Sequence, residues 1–235
     1  MAAMDWYDSR SEKSPEGAFA TVDKSIAELR RDYTFGALSK ASVDPDPIKQ
    51  FQRWLQEAIT AQLPEPNAMT VATADRNGRC HARAMLLKDC DRNGLVFFTN
   101  YLSAKGQQLA ENPQAALLFL WLELERQIRI EGQVAKIAID ESAAYFRTRP
   151  RESRLGSLAS RQSQVIANRQ LLDERFQQLA MQYPDEAIPM PEHWGGYRLQ
   201  PVMMEFWQGR HGRLHDRLRY RRLDDGSWLV ERLEP

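Results

Sequence analysis

Basic and hydroxyl-bearing side chains gather in a few short runs of this chain, at spacings that let them meet around an anion. The first run is Arg83-Ala84-Met85-Leu86-Leu87-Lys88, a strand with a cation at each end and an apolar middle. Alternation places Arg83, Met85 and Leu87 on one face and Ala84, Leu86 and Lys88 on the other. By itself it also reads as a buried strand with solvated ends. Lys105 changes that balance, because it falls in the first turn of a helix opened by Ser103. Free N–H groups and the positive dipole end at such a terminus suit a phosphate held by Ser103, Lys105 and Arg83. The second run is Tyr145 to Ser153, in which Tyr145 and Arg149 lie one helical turn apart and Ser153 follows Pro150. A phenol, a guanidinium and a hydroxyl at one place are apt donors to a phosphate dianion, although arginines near helix ends are often only solvated. The third run is Arg213-Leu214-His215-Asp216-Arg217. On a strand, Arg213, His215 and Arg217 share a face, where their charges repel unless an anion compensates.

Other chemistries lose support. The chain contains no GxGxxG, Walker, HExxH or GxSxG motif, and no carboxylate pair or cysteine accompanies His211 and His215, so no metal site is expected. Basic and acidic residues number 32 each, which leaves no net field to hold the chain on nucleic acid or an anionic membrane. Cys80 and Cys90 match neither a redox CxxC pair nor a zinc knuckle and read as unlinked thiols. With acids among its first residues and no apolar run of signal or membrane-spanning length, the sequence is expected to be cytoplasmic.

The elements that must carry these runs follow from periodicity. Residues 1–22 are polar and read as a flexible lead-in, with one domain expected over 23–235. A short helix is expected from Asp23 to Tyr33, and a second opens at Asp46-Pro47, burying Phe51, Trp54, Leu55, Ala58 and Ile59. Strands Met69–Ala74, Cys80–Lys88 and Leu95–Thr99 surround Asn77-Gly78 and Asn93-Gly94, hairpin signals that suggest three sequential antiparallel strands. A helix from Ser103, strands Ala115–Trp121 and Arg126–Ile137 with a bulge at Gly132, and a helix capped by Asp140 and ended by Pro150 come next. A longer helix over Val165–Tyr183 precedes strands Gly196–Leu199, Val202–Trp207, Arg213–Tyr220 and Trp228–Leu233. The fold class expected is α+β, mainly β: a closed barrel decorated by helices.

Taken together, these segments resemble the pyridoxine 5′-phosphate oxidase family from about Leu29 to Pro235. The matching stretches are Leu29 to Thr34, Arg83 to Lys88, Phe97 to Asn100, Glu125 to Gln127, Tyr145 to Ser153, Arg161 to Ser163, Trp194 to Gly196, Glu205 to Gly209 and Arg213 to Arg217. The resemblance implies an FMN-binding split β-barrel that forms a homodimer, with FMN sites between subunits. It assigns FMN binding to Arg83, Ala84, Met85, Leu86, Leu87, Lys88, Phe98, Thr99, Ser103, Ala104, Lys105, Gln127, Gln162, Ser163, Trp207 and Arg217. It assigns the substrate, pyridoxine or pyridoxamine 5′-phosphate, to Lys88, Tyr145, Arg149 and Ser153 at its phosphate and to Arg213 and His215, the candidate catalytic pair, at its ring. Arg30 and Tyr33 would close over it as a lid, and dioxygen would accept the electrons. Phe98 and Ala104 depart from the family, which usually has tyrosine and arginine there. Backbone contacts at Phe98 and Thr99 survive the first change, whereas Ala104 removes a partner of the FMN phosphate, at about 1.5–3 kcal/mol for each charged hydrogen bond lost.

Overall fold

A computed structural model describes residues 32–34 and 36–235. Arg30 and nearly all of the helix expected over Asp23–Tyr33 lie outside these residues, and at Asp32 and Tyr33, its expected end, the backbone is not helical. Helix α1 (Pro47–Thr60) starts as its sequence requires: Asp46 accepts the Ile48 N–H at 2.9 Å, and Pro47 occupies the first turn. Its buried face, Phe51, Trp54 and Ala58, packs into the main core.

The strands are β1 (Ala68–Ala74), β2 (Cys80–Leu86), β3 (Asp89–Asp91), β4 (Gly94–Asn100), β5 (Gln114–Trp121), β6 (Arg126–Lys136), β7 (Trp194–Gln208), β8 (Asp216–Arg222) and β9 (Trp228–Leu233). They form one antiparallel sheet in the order β2-β1-β5-β6-β7-β4-β3, with β8 and β9 added on β7. Alternation along β1 and β5 sends Met69, Val71, Leu117 and Phe119 inward to meet Phe97, Ile128, Ile130 and Phe206. That buried contact set is what curls the sheet around a core.

Two expectations about the sheet need correction. The Asn93-Gly94 turn joins β3 to β4, and β4 pairs with β3 and β7, not with β2, so the first three expected strands are not a meander. The ring is also not closed by a ladder. Its end strands, β2 and β3, are successive in the chain, and the segment between them spans the seam: Leu87 N–H bonds to Asn67 O and Lys88 N–H to Val96 O, both at 2.9 Å. The barrel is therefore split, with Lys88 at the split.

β7 explains the rest of the architecture. The sequence suggested separate strands on either side of Pro201; the structure has one strand of 15 residues. Along one edge it pairs with β6 from Tyr197 to Gln208, and along the other with β4 up to Leu199 and with β8 from Met203. Pro201 sits where the second edge changes partner, so its missing N–H removes no ladder bond there. The expected irregularity at Gly132 is present opposite, where the β6–β7 register shifts; a Cβ on Gly132 would lie 2.0 Å from Gln200 O.

Helices α2 (Ala104–Glu111), α3 (Ile139–Thr148), α4 (Arg151–Ala159) and α5 (Gln170–Gln182) complete the described α-helices, and three short 3-10 turns accompany them. Phe146, Leu155, Ile188 and Trp194 form a second, smaller core under α3 to α5. Asp140 lies inside the first turn of α3 and caps nothing, since the N-cap is Ala138. α5 starts at Gln170, five residues later than expected, and Leu171 from its expected apolar side is exposed. α4 follows directly on Pro150, which is its N-cap and comes right after Arg149, the C-cap of α3.

Candidate functional site

The split in the barrel opens into a cavity of about 700 Å³. Its wall comes from β2, the end of β4, the first turn of α2, and α3 with α4. Arg83, Ala84, Met85, Leu86 and Lys88 line it, as do Phe98, Thr99, Ala104 and Lys105. Tyr145, Arg149, Ser153, Gln162 and Ser163 complete the expected residues found there.

Three of the four cations in this wall, Arg83, Lys105 and Arg149, are held by neutral groups, and Lys88 is exposed. The Arg83 guanidinium donates to Val71 O (3.0 Å), Thr73 Oγ1 (2.8 Å) and Gln108 Oε1 (3.1 Å). Lys105, 8% exposed, donates to Thr99 Oγ1 (3.1 Å) and to Ser103 Oγ (3.4 Å). Arg149 donates to Ser157 Oγ at 2.7 Å and stacks over Trp194, its guanidinium carbon 4.8 Å from the ring centre. Among the described residues none of Arg83, Lys88, Lys105 and Arg149 has a carboxylate partner. Burial holds the Lys105 amine below its ordinary value, with Arg83 adding repulsion, and burial also lowers Arg83 and Arg149. Such a set of cations is stabilised by an anion with several acceptor oxygens.

Local structure explains how the wall is built. Ser103 caps α2: its hydroxyl accepts from Gly106 N–H at 3.3 Å and donates to Asn100 O at 2.6 Å. It is fully buried, so it acts on the cavity through Lys105 and the helix end rather than as wall. Leu87 is buried in the main core and does not reach the cavity. The expected helical pairing of Tyr145 with Arg149 is wrong: α3 ends at Thr148, and Arg149 is extended at φ −74° and ψ 146°. The two still meet the same cavity, because Tyr145 stacks on Phe98 (4.0 Å between ring centres) and Phe98 on Trp194 (5.2 Å), the ring beneath Arg149. Ser153 lies in the first turn of α4. Ser163 has a left-handed backbone, φ 71°, a conformation uncommon for serine and a sign of local constraint.

The remaining expected residues form a second cluster, on β6, β7 and β8. Gln127 pairs with Trp207, and Trp207 with Arg217, so the three stand in a row on one face. Tyr33 packs edge-on against Trp207 (5.6 Å) and His215 (5.4 Å), and a Cβ on Gly209 would come within 2.8 Å of its ring. The strand expected over Arg213–Tyr220 begins only at Asp216. Arg213 instead ends a 3-10 turn, His211–Arg213, with φ 63°, so Arg213, His215 and Arg217 do not alternate along one strand. His215 Nδ1 accepts the Arg210 N–H at 3.1 Å, which places the proton of the neutral ring on Nε2. Burial and then Arg213 lower its pKa below the usual histidine value. Arg217 is not a free cation, since its Nε donates to Glu205 Oε1 at 2.7 Å.

Sequence reasoning missed Ser157, Gly156 and Ser160, which also line the cavity, and the supports Thr73 and Gln108 behind Arg83. Leu155, Leu158 and Ala159, at helical spacing, would have revealed α4 and so Ser157. Nothing local marks Gln108, whose contact with Arg83 is long-range.

A family profile described as pyridoxamine 5′-phosphate oxidase matches residues 55–183, which include most of the cavity wall. The chain belongs to the pyridoxine/pyridoxamine 5′-phosphate oxidase family. It is accordingly an oxidoreductase. A second profile, the C-terminal dimerisation region of pyridoxine 5′-phosphate oxidase, matches residues 194–235, which hold the Trp207 cluster. A pyridoxine/pyridoxamine 5′-phosphate oxidase of Trichormus variabilis is 56% identical over 214 residues, 91% of this chain and 100% of the relative. One of Paraburkholderia phytofirmans is 54% identical over 212 residues, 90% of this chain and 99% of the relative. Among solved structures, PhzG from Burkholderia lata, in complex with tetrahydrophenazine-1-carboxylic acid, superposes with a TM-score of 0.80 at 34% identity, covering 86% of this chain and 99% of that one. A pyridoxamine 5′-phosphate oxidase-related, FMN-binding protein of Nostoc punctiforme shares the fold at a TM-score of 0.65 and 20% identity, covering 83% of this chain and 99% of that one. No described helix is long and apolar enough to cross a membrane.

Proposed function

We propose that this protein is an FMN-dependent oxidase that converts pyridoxine or pyridoxamine 5′-phosphate to pyridoxal 5′-phosphate, the last step of vitamin B6 cofactor synthesis and salvage. Dioxygen is the acceptor; the products are the aldehyde, hydrogen peroxide and, from the amine, ammonia. The observation that carries this reading is the cavity wall of Arg83, Lys88, Lys105 and Arg149, four cations with no carboxylate partner among the described residues. Their charge suits two phosphates: Arg83 and Lys105 with Thr99, Gln162 and Ser163 for the cofactor, and Lys88, Tyr145, Arg149 and Ser153 for the substrate. The residues present therefore fit FMN, with Ala104 its one weakened contact. When bound, FMN supplies the hydride acceptor and the route of electrons to dioxygen.

The chain's own groups bind and orient. Phosphate contacts at Arg149 are remote from the reacting carbon, so they hold it in register without taking part in the bond change. In the second cluster, Trp207, Gln127 and Arg217 supply a flat ring and donors, and Tyr33 packs edge-on against Trp207. Because His215 carries its proton on Nε2, it donates a hydrogen bond near the reacting carbon and does not accept a proton there. We place the complete site in a homodimer, the cavity from one protomer and the Trp207 cluster from its partner; the dimerisation-region match and the location of the cluster outside the cavity support this.

An oxidase of an unphosphorylated reductant, as the likeness to PhzG raises, would leave Arg149, Tyr145 and Ser153 without a ligand. The test is peroxide formation with pyridoxine 5′-phosphate, pyridoxamine 5′-phosphate and their dephosphorylated forms, in the native protein and in Arg213→Leu. The phosphorylated compounds should react, and Arg213→Leu should lose turnover while retaining FMN. Equal rates with the dephosphorylated forms would refute the substrate assignment, and equal losses of turnover and FMN would refute the role of Arg213.

A further inference from the structure

The register of β6, β7 and β8 stacks two rows of side chains on one face. Gln127, Trp207 and Arg217 form the first, and Arg129, Glu205 and Arg219 form the row beneath. Glu205 is 2% exposed, a carboxylate buried inside a sheet face. Its Oε1 accepts from Arg217 Nε at 2.7 Å, and its Oε2 lies 3.3 Å from Arg129 Nη2. Among the described residues no hydrogen bond reaches Oε2, so Arg129 meets Glu205 by charge rather than by good geometry, and Arg129 Nε lies 3.3 Å from a second carboxylate, Glu131 Oε1. Arg219 is committed elsewhere, to Glu231 at 2.9 Å.

Only the carboxylate is buried, Arg217 and Arg129 being partly exposed, and the cost of desolvating Glu205 makes these ion pairs a poor source of stability. Its consequence is geometric. Arg217 has Nε fixed by Glu205 and Nη1 fixed by Glu234 O at 2.9 Å, which among the described residues leaves Nη2 as its uncommitted end. The guanidinium is thus locked beside Trp207 before any ligand arrives, and the contact with Glu205 keeps it firmly protonated.

The geometry points to Glu205 as a positioning residue: it holds the Arg217 guanidinium in the orientation that receives the cofactor, with Arg129 balancing the carboxylate from the other side. This rests on the reading of Arg217 as an FMN contact. Freezing one long side chain in advance is worth about two- to tenfold in affinity, since binding then meets no ordering cost for it.

The test is a double-mutant cycle on the full-length protein, read as the FMN dissociation constant from quenching of flavin fluorescence on the apo-protein. Glu205→Gln keeps the shape and removes the charge, and Arg217→Met removes the contact. Glu205→Gln should weaken FMN about tenfold in the native background and by less than about twofold in the Arg217→Met background. A purely structural Glu205 would weaken FMN equally in both, which overturns the proposal alone. Arg217→Met with unchanged FMN affinity overturns the reading beneath it, and the proposal falls with that reading. Should Glu205→Gln lose the native circular dichroism, Glu205→Asp, which keeps the charge but withdraws it from Arg217, carries the same cycle and the same outcomes.

Discussion

Lys105→Met separates a binding cation from a structural one by opposite signs in two measurements. Among the described residues the buried ammonium has the Thr99 and Ser103 hydroxyls as acceptors and no carboxylate to repay its desolvation. Burying an unpaired ion costs several kcal/mol, and its two hydrogen bonds return part of that, so the methionine variant should gain about 1–2 kcal/mol in the apo state. For a chain of this length that raises Tm by roughly 2–8 °C. FMN binding should move the other way: losing a charged hydrogen bond of about 1.5–3 kcal/mol weakens it roughly 10- to 160-fold. The sign also sets a pH dependence. Burial lowers the folded-state pKa of Lys105, so the cost of the charge is present in full below that value and is relieved as pH rises toward the ordinary 10.5. The Tm gap between native and variant apo-proteins should therefore narrow at alkaline pH. Thermal melts of both apo-proteins and fluorescence titration with FMN measure all of this. A variant that melts lower than the native protein and binds FMN equally well would refute the reasoning and make Lys105 a structural residue.

Ala104→Arg should restore a charged contact at the first turn of α2 and tighten FMN about tenfold or more; fluorescence titration checks it, and an unchanged constant would mean that the cavity holds the phosphate elsewhere. Ser157→Ala removes the 2.7 Å tether of Arg149 and should raise KM for pyridoxamine 5′-phosphate about two- to tenfold with kcat nearly unchanged, in steady-state peroxide assays. A fall in kcat alone would contradict a tether. His215 should titrate below 6.5, because burial and then Arg213 disfavour the charged ring, and should show the Nε2–H tautomer in ¹⁵N NMR, because Nδ1 accepts the Arg210 N–H. Since the folded pKa is the lower one, any stability the neutral ring contributes is lost as pH falls below 6.5. A resonance titrating above 6.5 would contradict this account.

Much of the fold could be read locally. The Asp46-Pro47 start of α1, the Ser103 cap and the Gly132 irregularity are short-range signals that the structure reproduces. What failed was decided at long range. Whether β4 lies beside β2 or β7 depends on the whole sheet, and a strand that changes partners at Pro201 looks from sequence like two strands broken by proline. The candidate site divides the same way. Arg83 to Lys88 and Tyr145 to Ser153 were visible as clusters, yet Gln108 and Glu205 act through contacts that no spacing encodes. At Arg213 the strand pattern misled, because the chain takes a left-handed turn that lets His215 bond to Arg210.

The central claim is that the cavity holds FMN where pyridoxamine 5′-phosphate can reduce it. Anaerobic addition of that compound to the FMN-loaded protein tests it most directly. The visible flavin band should bleach and return on admitting air, with one equivalent each of pyridoxal 5′-phosphate and hydrogen peroxide formed per flavin reduced. A flavin spectrum that stays oxidised while the compound binds would contradict the claim and make the protein a binder of these phosphates.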